Sequence, residues 1–233
     1  MHQEIRKIRV DPNLEVSSVW AIPDDYLGRE GSAIILAHGA GNDMENPFMR
    51  HFHLAFAEAG LLSVKFNFPY KELGRKAPDR MPVLESTWRA VIGAVRMDPA
   101  LAPKRLFLAG KSMGGRVASR VAAQGEPCQG LIFFGYPLHP PKQTDRLRIE
   151  HWGGLSCPTL FVQGTRDPLC DLDLLRSRLP LLSAPVTLKV IEGGDHSFKV
   201  PKSSGRTEGM VWQEIDAVIL DWLCGVDSSN VSR

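Results

Sequence analysis

The stretch that decides the fold is "RLFLAGKSMGGRVA", Arg105 to Ala118. It admits two readings. Gly110-Lys111-Ser112 could close a phosphate-binding loop of the form G-x-x-x-x-G-K-[ST], or Ser112 could stand as a nucleophile on a tight turn of the form G-x-S-x-G. The first needs a glycine five residues before Gly110, and that position is Arg105. Leu106 to Ala109 are an apolar run that reads as a buried strand, where a phosphate loop needs free backbone amides. The second is met letter for letter by Gly110-Lys111-Ser112-Met113-Gly114, with a strand before and a helical pattern behind. Gly110 and Gly114 flank the serine where side chains would collide across a sharp strand-to-helix turn. Lys111 fills the variable position of the pattern, and its replacement by alanine is expected to do little.

Outward from this stretch, apolar strand-like runs alternate with helical patterns. The strands are "AIILAHG" (33–39), "LLSVKFNF" (61–68), "RLFLAG" (105–110), "GLIFFG" (130–135), "TLFVQG" (159–164) and "TLKVIEGG" (187–194), preceded by an N-terminal hairpin or meander in "EIRKIRV" and "LEVSSVWAI". Most lack strict alternation, as strands covered on both faces do. Asn46-Pro47 reads as an N-cap with proline at the first helical position. "VLESTWRAVIGAVRMDP" sets Thr87, Trp88, Val91 and Val95 on one face, and a last helix from about Thr207 to Cys224 carries Val211, Ile215, Val218, Ile219 and Trp222. The pattern predicts an α/β fold, with a mostly parallel sheet of about eight strands and helices on both faces. One domain over 1–225 and a polar tail over 226–233 account for the length.

In such a sheet functional groups collect at the carboxyl ends of the strands. His38-Gly39-Ala40-Gly41 follows the first parallel strand and Ser112 follows "RLFLAG". Asp167 lies in "QGTRDPL" and His196 in "GGDHSF", after the seventh and last strands. A serine hydroxyl is a poor nucleophile until an imidazole accepts its proton, and His196 can do so. An acid must hold that imidazole in the right tautomer. Asp167 fits, with Asp171, Asp173 and Asp195 as rivals. Asp171 and Asp173 read as the start of a helix, and Asp195 adjoins the base too closely in sequence to face its ring. The amides of Ala40 and Met113 are the natural donors to a developing oxyanion. His38 reads as support for its loop through a hydrogen bond, together with Gly39.

The order serine, acid, histidine, with "AHGAG", "GKSMGG", "QGTRDP" and "GGDHSF", resembles the α/β-hydrolase superfamily. The resemblance extends from about Ser32 to the last helix and is to the small bacterial branch related to dienelactone hydrolases. It implies a metal-independent, cofactor-free serine hydrolase of carboxylic esters, with related thioesters or lactones in reach. A weakly active interaction module and a perhydrolase or acyltransferase on the same triad are the alternatives. Dienelactone hydrolases carry a cysteine nucleophile, where this chain has Ser112. The segment 136–157, where this fold inserts a cap, is short and rich in proline and glycine, with at most one short helix over "TDRLRIEHW". A minimal cap and an open cleft follow, with Tyr70 and Tyr136 as possible walls.

Composition narrows the partners. Twenty-eight basic and 26 acidic residues leave a net charge of +2 without long single-sign blocks, which argues against nucleic acid or a membrane surface as the main partner. The basic group Lys71, Arg75, Lys76 and Arg80 reads as a solvated loop. No apolar leader or membrane span is visible. Cys128, Cys157, Cys170 and Cys224 are far apart in sequence without C-x-x-C spacing, and read as reduced thiols in a cytoplasmic monomer or homodimer acting on a small acyl substrate.

Overall fold

The structure, a computed structural model, describes residues 1–229. Eight strands form one sheet: β1 (His2–Asp11), β2 (Leu14–Ile22), β3 (Ser32–Ala37), β4 (Leu62–Phe66), β5 (Arg105–Lys111), β6 (Gly130–Phe134), β7 (Thr159–Gly164) and β8 (Val186–Ile191). Their spatial order is β1-β2-β4-β3-β5-β6-β7-β8. β1 and β2 form an antiparallel hairpin that joins the sheet through β4, and β3 to β8 run parallel. This is the mostly parallel eight-stranded arrangement expected from the sequence. Among the described residues six α-helices accompany them: α1 (Pro47–Glu58), α2 (Pro69–Glu72), α3 (Met81–Arg96), α4 (Met113–Ala123), α5 (Leu172–Arg178) and α6 (Glu208–Ser229).

The missing alternation in the strands has its cause in two cores. Ala33, Ile35, Leu106, Leu108, Leu131 and Phe133 point to the face covered by Trp88 and Val91 of α3 and Val117 and Val121 of α4. Their sequence neighbours Ile34, Leu36, Phe107, Ala109, Ile132 and Phe134 point to the other, under Phe52 of α1 and Ile215 and Ile219 of α6. A strand buried on both faces needs apolar residues at every position. Asn46 caps α1 as expected, its side chain accepting from Phe48 N, with Pro47 inside the first turn.

One boundary differs from the sequence reading. α6 runs on to Ser229 and Val226 joins the core at 7% exposure, so the stretch read as tail begins as helix; 230–233 lie outside the described residues. The short cap keeps to the expected limit of one short helix, with a 3-10 turn over Trp152–Gly154. Trp152 explains that turn: it is buried and donates from its indole to Tyr136 Oη at 3.2 Å.

Candidate active site

β5 pairs with β3 so that Gly110 stands beside Ala37, and with β6 so that Lys111 stands beside Phe134. The chain then turns at once into α4. Ser112 is the hinge, at φ 51° and ψ −114°, and its amide donates to Phe134 O at 3.0 Å. A positive φ on a serine is strained and persists only where the surroundings enforce it. The flanking glycines leave room for it here. A Cβ on Gly110 would lie 2.2 Å from Gly115 N, and one on Gly114 would lie 2.4 Å from Ala37 O and 2.7 Å from His38 O. The turn thus lifts the hydroxyl clear of the sheet, beside the loop that follows β3.

Three side chains from three strand ends meet there. Ser112 Oγ lies 2.8 Å from His196 Nε2, and His196 Nδ1 lies 2.7 Å from Asp167 Oδ2. Asp167 is 7% exposed and accepts three bonds: from His196, from Gln163 Nε2 at 2.6 Å and from Leu169 N at 2.8 Å. The rival acids are engaged elsewhere. Asp171 caps α5 by accepting from Leu174 N, Asp173 lies in the first turn of that helix, and Asp195 accepts from Ser197 N and Lys199 N within the histidine turn.

His38 is fully buried, which lowers its pKa to about 4 and keeps the ring neutral. In that tautomer Nδ1–H donates to Gly39 O at 2.9 Å and Nε2 accepts from Phe68 N at 3.2 Å, so the ring staples the loop. Ala40 is exposed at the turn of this loop, and Met113 opens α4, where the first amides have no intrahelical acceptor.

Tyr70 and Tyr136 are corrected. Both are buried, at 0% and 1% exposure, and neither forms a wall open to solvent. Tyr70 Oη lies 3.4 Å from both Gly39 O and Asn42 O, and Tyr136 Oη donates to Arg148 O at 2.8 Å. Burial raises both phenols to about 12. The pocket beside the elbow, of about 350 Å³, is lined instead by residues including Gly39, Asn42, Phe48, Lys111, Ser197 and Trp212.

Lys111 is 9% exposed and its Nζ donates to His196 O. Gln163 is a fully buried amide in a strand whose only other polar side chain is Thr159, and the sequence reading passed over it although its partner Asp167 lies four residues on. Among the described residues no group of three or more His, Cys, Asp or Glu side chains is placed to hold a metal ion, and no helix is long and apolar enough to cross a membrane.

A sheet of this order with a serine at the β5–α4 turn, a carboxylate after β7 and a histidine after β8 defines the hydrolase class of three-layer α/β proteins. Residues 30–224 match the alpha/beta hydrolase domain family, and the chain belongs to it. Among solved structures it resembles dienelactone hydrolase from Anabaena variabilis, at 19% identity over 96% of this chain and 97% of that one, with a TM-score of 0.75. An alpha-beta serine hydrolase homologue from Coxiella burnetii gives 22% identity over 96% and 98% of the two chains, with a TM-score of 0.73. A serine hydrolase without a lid from Xanthomonas campestris gives 24% over 85% and 87%, with a TM-score of 0.67. At these identities the likeness is one of fold.

Proposed function

We propose that the protein is a serine hydrolase that cleaves carboxylic esters of small or exposed acyl groups. The observation that carries this reading is the unbroken chain from Asp167 through His196 to Ser112, at 2.7 and 2.8 Å. In the proposed reaction Ser112 Oγ attacks the acyl carbon while His196 Nε2 takes its proton. Asp167 holds Nδ1–H, fixing the tautomer and stabilising the imidazolium. The tetrahedral oxyanion is met by the amides of Ala40 and Met113, donors that need no reorganisation as charge develops. His196 then protonates the leaving alcohol, and a water activated by the same ring releases the acyl group. Thioesters and lactones pass through the same intermediate. The scheme draws on no metal and no cofactor.

The short cap supports small acyl groups over long buried chains. Four cysteines without C-x-x-C spacing support a cytoplasmic location, and the pocket suits a small molecule as partner to a monomer or homodimer. Turnover of a panel of p-nitrophenyl acyl esters by wild type and Ser112→Ala tests the reading. Short esters should be cleaved by the first and not the second. No turnover by wild type on any ester contradicts it and favours an interaction module; faster transfer to peroxide or an alcohol than to water favours an acyltransferase.

A further inference from the structure

Lys111 lies at the end of β5, one residue before the serine, and its ammonium reaches the turn that carries His196, 85 residues away in the chain. Three residues from two elements converge on that ammonium. It donates to His196 O, lies 5.1 Å from the ring centre of Phe198, and fills space left by Gly135 at the end of β6. A Cβ on Gly135 would stand 2.9 Å from Nζ and 3.4 Å from His196 O, so a larger residue would push the two apart. Phe198 itself sits at φ +64°, a strained conformation for an aromatic residue, within the turn that Asp195 closes.

The nearby carboxylates do not pair with this cation. Asp167 and Asp195 attract it from the ends of β7 and β8, but their hydrogen bonds go to His196, Gln163, Leu169, Ser197 and Lys199. Lys199 and Glu208 line the same pocket. Burial outweighs the two carboxylates and lowers the lysine to about 8. A hydrocarbon chain of equal length would fill this volume without the cost of desolvating a charge. What it could not do is hold a carbonyl oxygen.

We infer that Lys111 is a positioning residue: its ammonium, bound to the carbonyl of His196, ties the histidine turn to the nucleophile's own strand and keeps Nε2 on Ser112 Oγ. The inference rests on the hydrolase reading above. A charged donor binds a carbonyl roughly twice as strongly as a neutral one, so the tie weakens as Lys111 loses its proton. A misplacement of the base by a fraction of an ångström lowers the rate at which the serine reacts, with little effect on ground-state binding.

The test is the rate of Ser112 labelling by a fluorophosphonate probe, with kcat and KM for a p-nitrophenyl ester, from pH 6 to 10. Wild type, Lys111→Met and Lys111→Arg are compared. Wild type should lose rate several-fold as pH rises through about 8, where Lys111 deprotonates. Lys111→Met should show kcat lower by roughly ten- to a hundredfold, KM nearly unchanged, and no alkaline fall. Lys111→Arg, a permanent cation, should recover part of the rate and also lack the fall. Melting temperature separates positioning from mere structure: Lys111→Met should melt no lower than wild type at pH 7, because it removes a buried charge.

Wild-type kcat and labelling rate in a folded Lys111→Met would overturn the inference. Should that variant not fold, the wild-type profile decides, and a labelling rate that does not fall up to pH 10 sinks the idea. A wild type that no probe labels contradicts the hydrolase reading, whereas a labelled wild type with an indifferent Lys111→Met contradicts this inference alone.

Discussion

At the scale of single residues, the chain order and the glycines carried the candidate site. Gly110 and Gly114 could be read because a residue with no Cβ has few reasons to flank a serine on both sides. Gly114→Val should therefore lower stability by about 1–3 kcal/mol or abolish probe labelling, since its Cβ would overlap Ala37 O at 2.4 Å. In an ordinary helix interior, replacing glycine would be mild or stabilising. A stable, fully labelled variant would deny the tight turn. Asp167→Asn should fold and lose about 10⁴ in kcat, on the pattern of serine-protease triads. Asp171→Asn should keep its activity, since asparagine also caps a helix. Equal rates in the two mutants would reassign the acid. Tyr70 and Tyr136 were misread for one reason. Sequence position shows neither where a long side chain points nor whether a hydroxyl finds its partner inside the protein.

Elements were legible where pattern and cap agreed, as in α1. Asn46→Ala should cost about 1 kcal/mol by leaving Phe48 N without its acceptor. Chemical denaturation measures this, and an unchanged midpoint with unchanged slope would deny the cap. Trp88 was read as core from its stripe; its bond from Nε1 to Gly114 O at 3.2 Å, joining α3 to α4, was not readable. Short elements escaped for a related reason. α2 has four residues and the cap's 3-10 turn three, too few for a periodic pattern, and their shape follows from packing of Tyr70 and Trp152. The end of α6 was missed because polar residues after Cys224 masked Val226, which adds one more buried contact.

For the whole molecule, burial of titratable groups sets how stability depends on pH. His38 and His53 are 0% and 1% exposed, and burial lowers them from 6.5 to about 4 and about 3. Below pH 6.5 the unfolded chain binds protons that the folded chain refuses, so this stability is present above 6.5 and is lost as pH falls toward 4. Urea unfolding should show a loss of a few kcal/mol between pH 7 and pH 4.5. A midpoint independent of pH over that range would mean that the histidines are hydrated or charged. Long-range juxtapositions were beyond the sequence altogether. Cys128 and Cys157 are 29 residues apart with no motif between them, yet their sulfurs lie 3.3 Å apart. Only the closure of the sheet, with β7 entering beside the end of the α4–β6 connection, brings them together.

The central claim is that one serine, strained at a strand-to-helix turn and bonded to His196, is the nucleophile. Peptide mapping by mass spectrometry after reaction with a fluorophosphonate reads it most directly. The account predicts a single phosphonyl adduct on Ser112 in wild type, formed far more slowly in His196→Ala. An adduct on another residue, or equal rates of Ser112 labelling with and without His196, would contradict it.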